Sequence, residues 1–390
     1  MPAEKIERVH PIGSPANATP ATDGERIYVY FGSYGLLCYD FAGRLRWTVP
    51  LPIPKTRFGT GTSPIVAGEF VILSSDEEND PHLLAVDRHT GKTVWKQPQP
   101  PASELGATSY STPIVWGQQL VVHRLGEIVA YNVSDGARLW WINAATQGTS
   151  TPVIGQDTLF VGMWGNFGEP ELRVKVPDFE TVAGQYDKDG DRRISRTEFP
   201  GDLMLSRRPE VGEVFGGQIY LKTFFQMIDE NKDGLIDDVE WKEMSGLLSV
   251  LSQDHGLTAI RSRGSGDITA THVLWQEKTN VPEVPSPLYY EGRVYMINNG
   301  GIASCMDAGS GKLLYRERLG AAGPYYSSPI CAHGRIYIAS GPGVVAVFEA
   351  GDTLRVLARN NLKEQIFATP AIVDNKLYVR TVALMYAFGE

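Results

Sequence analysis

Short apolar stretches alternate with turn residues along most of the chain, and most of them have the length of a strand rather than a helix. A serine or threonine followed by proline opens each unit, and two apolar stretches separated by a tight turn come next. The openings are TPATDGERIYVY from residue 19, SPIVAGEFVIL from 63, TPIVWGQQLVV from 112, TPVIGQDTLFV from 151, SPLYYEGRVYM from 286, SPICAHGRIYI from 328 and TPAIVDNKLYV from 369. Proline is tolerated at the first residue of a strand because its missing N–H costs least there. The pattern therefore predicts strand pairs that repeat along the chain.

Each unit continues with a third strand, a turn and a fourth strand that carries a large side chain. The step from the polar residue ending the third strand to that side chain is nearly constant: Asp40 to Trp47, Asp87 to Trp95, Asn132 to Trp140, Asp307 to Tyr315 and Glu349 to Leu357. The opening prolines are 44, 49, 39, 135, 42 and 41 residues apart. Four short strands per unit of about 40–45 residues are typical of a propeller blade. We therefore predict an all-β propeller of about seven four-stranded blades.

The interval of 135 residues indicates one blade with an insertion. TPVIGQDTLFVGMW supplies its first two strands, and GLTAIRSRG from 256 and HVLWQEK from 272 supply its third and fourth. The predicted division of the chain is a first propeller part at 1–168, an insert at 169–254 and a second propeller part at 255–390. The insert holds 19 Asp and Glu against 11 Lys and Arg, so it carries nearly all of the chain's net charge of −9.

The Ser/Thr-Pro openings, the run LLAVDRHTGKTVW at 83–95 and the tryptophan of the fourth strand resemble the pyrroloquinoline-quinone-like repeat propellers. That family includes relatives of the quinoprotein alcohol dehydrogenases and of the outer-membrane-assembly propeller lipoprotein. The resemblance covers nearly the whole chain outside the long interval. The last unit, 367–390, lacks a fourth strand, and we expect the N-terminal AEKIERVH to supply it and close the ring. Members of the family often have eight blades, so the alternative is that the seven units form part of an eight-bladed ring.

Within the insert, DENKDGLIDDVE at 229–240 matches a calcium-binding EF-hand loop at every position. Calcium takes 6–8 oxygen ligands, and the loop delivers them from positions 1, 3, 5, 7, 9 and 12, with glycine at position 6. The predicted ligands of this second hand are Asp229, Asn231, Asp233, the carbonyl of Leu235, Asp237 and Glu240.

A first hand is predicted at 187–198, DKDGDRRISRTE. Its predicted ligands are Asp187, Asp189, Asp191, the carbonyl of Arg193, Ser195 and Glu198, and Arg192 stands where the motif has glycine. A non-glycine residue at positive φ costs on the order of 1 kcal/mol, so this site is expected to bind calcium more weakly than the second. Helical spacing of apolar residues flanks both loops, and Ile194 and Ile236 stand where paired hands join by a short strand. We expect the calcium to stabilise the structure rather than to trigger a regulatory conformational change.

Neighbouring antiparallel strands run in opposite directions, so the second strand of a blade ends on the rim on which the first strand begins. We therefore expect the insert, which follows a second strand, to rise from that rim. The residues before the Ser/Thr-Pro pairs would form a ring at the mouth of the central channel on that rim. The candidate ligand-binding residues of this ring are Arg57, Phe58, Tyr110, Gln147, Glu283, Tyr325, Tyr326 and Phe367. The alternative is that these loop residues pack only on their neighbours.

Composition excludes several classes of function. The net charge of −9 comes without a basic stripe, which argues against nucleic-acid binding. No apolar run approaches the roughly 20 residues of a membrane helix, and the first residues do not read as a signal peptide. Calcium at millimolar concentration outside cells would keep even low-affinity EF-hand sites occupied, so we expect an extracytoplasmic location, periplasmic or secreted.

No catalytic residues can be named from the sequence. The resemblance implies a quinoprotein-like oxidoreductase as the alternative function, but Cys38, Cys305 and Cys331 include no adjacent pair to hold a quinone. A hydrolase or lyase with carboxylates from separate blades also remains open. The main prediction is a non-enzymatic binding or scaffold propeller, expected to be a monomer without pyrroloquinoline quinone. Its partner would be a protein, peptide or glycan on the calcium-capped face.

Overall fold

The computed structural model describes residues 5–10, 13–56, 58–100, 109–165, 176–207, 218–251, 255–261, 263–321 and 323–389. The chain forms a seven-bladed β-propeller, as the repeat predicts. The first two blades each contain four antiparallel strands in chain order. They are β1 (Ala21–Thr22), β2 (Arg26–Phe31), β3 (Gly35–Asp40) and β4 (Leu45–Val49) in blade 1, and β5 (Ile65–Ala67), β6 (Phe70–Ser75), β7 (His82–Asp87) and β8 (Thr93–Pro98) in blade 2.

Blade 3 has β9 (Ile114–Trp116), β10 (Gln119–Asn132) and β11 (Arg138–Gln147). The start of β10 pairs with β9 and its end pairs with β11, so this one strand takes the place of the second and third strands of other blades. Gly126, at φ 81°, divides the two parts. Blade 4 begins with β12 (Val153–Gly155) and β13 (Thr158–Met163), after which the insert follows.

The described residues of the insert form short helices and two two-stranded β-ladders. Its elements are α1 (Phe179–Tyr186), β14 (Ile194–Ser195), β15 (Met204–Arg207), β16 (Gln218–Tyr220), α2 (Phe225–Ile228), β17 (Leu235–Ile236) and α3 (Asp238–Leu251). Blade 4 then continues with β18 (Gly256–Arg261), β19 (Gly266–Asp267) and β20 (Val273–Glu277), of which β18 and β20 complete its sheet. β19 pairs in parallel with β11, so a segment of blade 4 adds an outer strand to the sheet of blade 3.

Blades 5 and 6 repeat the antiparallel order of the first two blades, whereas blade 7 has three strands among the described residues. Blade 5 contains β21 (Leu288–Tyr290), β22 (Arg293–Ile297), β23 (Ile302–Asp307) and β24 (Leu313–Arg318), and blade 6 contains β25 (Ile330–Ala332), β26 (Arg335–Ala339), β27 (Val344–Glu349) and β28 (Val356–Asn361). Blade 7 contains β29 (Ala371–Val373), β30 (Lys376–Arg380) and β31 (Met385–Phe388). None of the described helices is long and apolar enough to cross a membrane.

The apolar core lies between adjacent blades, because successive side chains of a strand point to opposite faces of the sheet. Tyr28 and Tyr30 of β2 pack with Val71 and Leu73 of β6, and all four side chains are buried. Blades 5 and 6 pack in the same way, with Tyr295 facing the residues of β26. Each blade therefore needs a neighbour on both faces.

The fourth-strand tryptophans lock one blade to the next. Trp47 Nε1 donates a hydrogen bond to the Arg88 carbonyl at 3.0 Å, and Trp95 Nε1 donates to the Val133 carbonyl at 3.1 Å. Each indole also covers the turn glycine of the following blade. A methyl group at Gly91 would lie 2.8 Å from Trp47, and one at Gly136 would lie 2.8 Å from Trp95. Trp275 covers Gly311 likewise, which explains why the turns carry glycine.

A chain of hydrogen bonds links the opening serines and threonines of consecutive blades. In each pair the backbone N–H of one blade's residue donates to the side-chain hydroxyl of the next. The bonds are Thr19 to Ser63 at 2.9 Å, Ser63 to Thr112 at 3.2 Å, Thr112 to Thr151 at 3.2 Å, Thr151 to Ser286 at 2.9 Å, Ser286 to Ser328 at 2.9 Å and Ser328 to Thr369 at 2.9 Å. The hydroxyl of the Ser/Thr-Pro pair is therefore a link between blades, a role that the repeat itself did not reveal.

The expectation that AEKIERVH completes blade 7 is wrong for its described part, residues 5–10. Glu7 N–H donates to Ser33 Oγ at 2.8 Å, and His10 N–H donates to the Phe58 carbonyl at 3.1 Å. These contacts hold the segment along blades 1 and 2. β31 pairs only with β30 among the described residues, so blade 7 keeps an open edge.

Candidate functional site: the paired loops and the channel mouth

The insert leaves the propeller at the rim on which the first strands begin. β12 leads away from that rim and β13 returns to it, because antiparallel neighbours run in opposite directions. Met163 at the end of β13 is paired with Gly256 at the start of β18. Beyond this pair, the Gly165 N–H donates to His255 Nδ1 at 3.0 Å. The two ends of the insert therefore lie side by side at the channel mouth.

The insert has an apolar core of its own, which holds two acidic loops together. Phe179 and Val182 of α1 are buried against Phe225 of α2 and Trp241 of α3. Asp178 caps α1 by accepting a hydrogen bond from the Thr181 N–H, and Trp241 Nε1 donates to the Pro177 carbonyl at 3.0 Å. This packing positions the loop at 187–198, called loop 1, and the loop at 229–240, called loop 2.

A two-residue β-ladder joins the loops, as the sequence predicted. Ile194 is paired with Ile236, and Ser195 is paired with Leu235. Both isoleucines are fully buried in the core of the insert. The paired strands place the two loops next to each other, and the Arg193 guanidinium lies 3.7 Å from the Asp233 carboxylate across them.

Loop 1 turns three carboxylates towards a common centre. Asp187 accepts hydrogen bonds from the Gly190 N–H at 2.7 Å and the Arg192 N–H at 2.9 Å. One carboxylate oxygen from each of Asp187, Asp189 and Asp191 lies within 4.8 Å of the other two. Like charges at this separation repel one another, so the arrangement favours a bound cation.

Glu198 closes loop 1 from the opposite side. Its carboxylate accepts hydrogen bonds from Ser195 Oγ at 2.6 Å, from the Ser195 N–H at 3.0 Å and from the Lys188 N–H at 2.9 Å. The Ser195 side chain is the main cause that lowers the pKa of Glu198 to about 2. The group is therefore ionised throughout the physiological range of pH.

Loop 2 is more enclosed than loop 1. Asp229 and Glu240, its first and last ligand positions, are both buried. Glu240 accepts from the Glu230 N–H at 3.1 Å and from the Asp237 N–H at 3.2 Å, and Asp229 Oδ2 accepts from the Gly234 N–H at 3.1 Å. Asp229 Oδ1 is buried without a hydrogen-bond partner. A buried carboxylate oxygen is costly unless it is paired or coordinates a metal, so this atom fits a cation ligand.

The backbone bends in the same manner in both loops, although the glycines differ. Positions 4 and 6 have positive φ in each: 77° at Gly190 and 62° at Arg192 in loop 1, and 61° at Lys232 and 83° at Gly234 in loop 2. Each loop therefore has one glycine and one strained residue at these positions. Arg192 adopts the bend that the sequence analysis expected to be strained.

Two pairs of aromatic rings lie at the predicted mouth. Phe58 and Tyr110 have ring centroids 5.7 Å apart, and Tyr326 and Phe367 have centroids 5.6 Å apart in an edge-to-face arrangement. Phe58 is exposed and the other three are half-buried. The rim thus offers aromatic surface before the openings of blades 2 and 3 and again before those of blades 6 and 7.

The remaining predicted mouth residues differ in exposure. Gln147 and Glu283 are half-buried, and Glu283 Oε2 accepts from Asn299 Nδ2 at 2.7 Å. Tyr325 is fully buried in the core between blades 5 and 6, where its hydroxyl donates to the Ala321 carbonyl at 3.0 Å. Its ring packs against neighbouring blades and does not line the mouth. Arg57 lies outside the described residues.

A buried polar cluster that the sequence analysis missed stands beside the mouth in blades 2 and 3. Arg124 is fully buried, and its Nη2 donates to Asp76 Oδ1 at 2.8 Å and its Nη1 to Glu127 Oε1 at 2.9 Å. Ser109 Oγ donates to Asp76 Oδ2 at 2.6 Å. A buried charge needs such partners, but Asp76 and Ser109 come from segments far in sequence from Arg124 and Glu127 of β10, so no local pattern marked the cluster.

Glu7 forms a second buried polar contact at the mouth. Burial raises the pKa of Glu7, while the hydrogen bond that it accepts from Thr60 Oγ1 at 2.5 Å acts in the opposite direction. Its other carboxylate oxygen, Oε1, is buried without a hydrogen-bond partner. The contact ties the N-terminal segment to blade 2.

The three cysteines form no disulfide. Cys38 and Cys305 are buried, and Cys331 is half-buried, all as free thiols. Burial raises the pKa of Cys38 to about 11 and that of Cys305 to about 12, which keeps these thiols protonated. These thiols are therefore poor nucleophiles.

Comparison with known proteins supports the repeat family. Residues 5–169 match the family model of outer membrane protein assembly factor BamB. The crystal structure of BamB from Moraxella catarrhalis is similar at 13% identity, over 95% of this chain and 81% of that chain, with a TM-score of 0.56. The computationally designed Ika8 protein is similar at 10% identity, over 99% of this chain and 100% of that chain, with a TM-score of 0.47.

No curated protein sequence matches the chain. The BamB family model ends where the insert begins, in agreement with an insertion that interrupts the repeats. The crystal structure supports the fold beyond that point, because the similarity extends over nearly the whole chain. The chain is therefore a seven-bladed β-propeller of PQQ-like repeats, similar to BamB in fold and, over residues 5–169, in sequence.

Proposed function

We propose that this chain is a non-enzymatic binding propeller whose insert holds two calcium ions in an EF-hand pair beside the channel mouth. The observation that carries the calcium assignment is the inward arrangement of carboxylates in two adjacent loops. Loop 1 brings three of them within 4.8 Å of one another, and loop 2 holds a buried carboxylate oxygen that has no hydrogen-bond partner. Hard oxygen donors at these positions suit calcium.

The residues that would hold the ions are the predicted ligand sets of the two loops. Loop 2 is the stronger site because its first and last carboxylates are buried and therefore already desolvated and positioned. The role of the ions is structural, since both ends of the insert are fixed side by side on β13 and β18. The calcium would couple the two loops through the Ile194–Ile236 ladder.

Arg192→Gly is expected to tighten calcium binding at loop 1 by roughly threefold to tenfold. Arg192 has φ 62°, which costs a non-glycine residue on the order of 1 kcal/mol. Removing this cost would make the free energy of calcium binding more favourable by a similar amount. The Arg192 ion pair with Glu180 is exposed on both sides, so its loss has little effect. Calorimetric titration with calcium measures the change, with Arg196→Gly as the control outside the strained position. Equal affinities for wild type and Arg192→Gly would contradict the explanation.

The binding function rests on the rim of the channel. Aromatic rings are enriched where proteins bind partners, because they offer a large contact area at low entropic cost. The Phe58–Tyr110 and Tyr326–Phe367 pairs stand on the rim from which the insert rises. The matching family is named for an assembly factor of the outer membrane, which favours a protein or peptide over a glycan as the partner. An extracytoplasmic location would fit both that name and a calcium site of modest affinity.

Tyr110→Ala combined with Tyr326→Ala is expected to weaken partner binding at least tenfold, while the melting temperature stays within about 5 °C of wild type. Arrays of peptides and glycans with the calcium-loaded protein identify a ligand, and titration of that ligand measures the affinity. Phe41→Ala is the control, because Phe41 is an exposed aromatic on the outer turn of blade 1. An unchanged affinity of the double variant would show that the rim does not bind the partner.

A further inference from the structure

A basic cleft lies on the rim from which the insert rises. It is formed by the N-terminal segment at 5–10, by the connection between β4 and β5, and by the turn after β6. Its volume is about 430 Å³, which falls in the range of roughly 300–1,000 Å³ that ligand sites occupy. Among the described residues that line it, Lys5, Arg8 and Lys55 are cationic and Glu78 is acidic. Three positive charges and one negative charge leave +2, in a chain whose net charge is −9.

The N-terminal segment holds two of the cations at the surface. Between them, Glu7 is buried, its N–H donates to Ser33 Oγ at 2.8 Å, and its carboxylate accepts from Thr60 Oγ1 at 2.5 Å. Lys5 and Arg8 are exposed on either side of Glu7. Among the residues that the structure describes, neither of the two forms an ion pair. Glu7 therefore fixes the segment, while the two cations beside it are available to a ligand.

The third cation, Lys55, stands on another wall of the cleft and already has a partner. Its Nζ lies 2.5 Å from Glu78 Oε2, and the Glu78 N–H donates to the Lys55 carbonyl at 3.0 Å. The Lys55 N–H donates to Glu77 Oε2 at 3.0 Å, which fixes this wall further. The hydrogen bond to Glu78 raises the pKa of Lys55, so the amine stays charged. Glu78 neutralises this one cation, and the charges of Lys5 and Arg8 remain.

The cleft also offers apolar surface. Ile53 and Pro54 line it and are half-buried. Ile6, which lies between the two free cations in the chain, is 63% exposed. A ligand that matches both kinds of surface carries acidic groups beside apolar side chains. A peptide has both, whereas an inorganic anion has only the charge.

The cleft adjoins the Phe58–Tyr110 pair of the mouth. Thr56 lines the cleft, and its Oγ1 accepts from the Gly59 N–H at 2.9 Å, so a tight turn carries Phe58. The Phe58 ring lies 5.4 Å from the His10 ring, measured between centroids, and His10 ends the same N-terminal segment. A ligand on the aromatic pair is therefore next to the basic cleft.

We propose that the basic cleft binds acidic side chains of the partner, so that the ligand of the rim is a peptide segment in which Asp or Glu alternates with apolar residues. This inference rests on the proposed binding function and names the chemistry of the partner. Arg8 would pair with one carboxylate through two parallel hydrogen bonds, a geometry that the guanidinium favours. Lys5 would attract a second carboxylate. The apolar side chains of the peptide would cover Ile53 and Pro54.

Two synthetic peptides test the charge requirement directly. The probe is acetyl-Glu-Leu-Glu-Leu-Glu-amide with a fluorescent label, and its control is acetyl-Gln-Leu-Gln-Leu-Gln-amide with the same label. Fluorescence anisotropy with the calcium-loaded full chain measures both affinities at one ionic strength. We expect the acidic peptide to bind at least tenfold more tightly. Equal affinities, or no binding of the acidic peptide, would overturn the proposal.

Lys5→Gln combined with Arg8→Gln is expected to weaken binding of the acidic peptide at least tenfold. Both side chains are exposed, so the melting temperature should stay within about 3 °C of wild type. The control is Lys92→Gln with Lys312→Gln, which removes the same charge from exposed turns on the opposite rim. The control should change the affinity by no more than about twofold. The same loss in both double variants would show that net charge, not the cleft, attracts the peptide.

Glu78→Gln gives a result of the opposite sign, which misfolding would not produce. The substitution releases Lys55 from its ion pair, so the acidic peptide should bind about threefold or more tightly. Glu69→Gln is the matched control, because Glu69 is also paired, with Arg88 at 3.0 Å, but lies on the opposite rim. An affinity that does not rise in Glu78→Gln, or that rises equally in both variants, would contradict binding in the cleft.

The aromatic double variant, Tyr110→Ala with Tyr326→Ala, separates this inference from the proposed function. If the acidic peptide needs Lys5 and Arg8 but binds equally well to the aromatic double variant, the cleft is confirmed and the aromatic rim is not. If a ligand found on the arrays needs the two tyrosines but not Lys5 and Arg8, the proposed function stands and the acidic partner is wrong.

Discussion

Glu240→Gln is expected to weaken calcium binding at loop 2 on the order of 100-fold. The substitution removes one negative charge and the bidentate ligand at position 12, and the charge of the ligand set is what tunes the affinity of such loops. Glu240 is buried and accepts hydrogen bonds from three backbone N–H groups, so no water or neighbouring side chain replaces it easily. Calorimetric titration of the full chain measures both affinity and stoichiometry.

The control for this substitution is Glu243→Gln, an exposed glutamate on α3 outside loop 2. It removes the same charge without touching a ligand position, so its effect should stay within about twofold. Calcium should also raise the melting temperature of wild type more than that of Glu240→Gln, because a ligand stabilises the folded state in proportion to its affinity. Identical titrations for Glu240→Gln and wild type would remove loop 2 as a calcium site.

Trp95→Ala is expected to lower the free energy of unfolding by about 3–5 kcal/mol. The indole is nearly buried, covers Gly136 of blade 3 and donates a hydrogen bond to the Val133 carbonyl. Its removal leaves a cavity between blades 2 and 3 and an unpaired carbonyl in the turn. Urea unfolding of both proteins measures the difference.

Val94→Ala tests whether the loss of stability in Trp95→Ala comes from the missing indole rather than from any truncation in β8. Val94 precedes Trp95 in β8 and is 49% exposed, so its truncation should cost less than about 1 kcal/mol. A loss for Trp95→Ala as small as that for Val94→Ala would show that the fourth-strand aromatic does not hold the blades together.

The repeat pattern predicted the blades well because each blade forms from consecutive strands. The turns at Gly68 and Gly117 have positive φ and join strands that pair antiparallel, and such tight turns leave a local signature. The position of the insert was also predictable from the repeat, because one interval between the opening prolines is much longer than the others. The Ile194–Ile236 ladder was also predictable, because the spacing of loop positions is fixed by the ligands.

Other features depend on residues that are distant in the sequence. The segment at 5–10 reads as a free strand, yet Ser33 and Phe58 hold it on blades 1 and 2. Tyr325 and Tyr326 are adjacent tyrosines with the same local signal, but only Tyr325 points into the core between blades. β19 joins blade 3 rather than its own blade, which no periodicity could show.

By itself, the sequence determined the fold class, the number of repeats, the place of the insert and the two acidic loops, because these follow from local spacing of proline, glycine, carboxylate and apolar residues. The tertiary structure alone decided how the blades connect around the ring. Thr19 bonds to Ser63 and Ser328 bonds to Thr369, while no hydrogen bond between Thr19 and Thr369 is found among the described residues. The physical reason is that a propeller's closure depends on the packing of complete sheets against one another, and that packing joins residues from every blade at once.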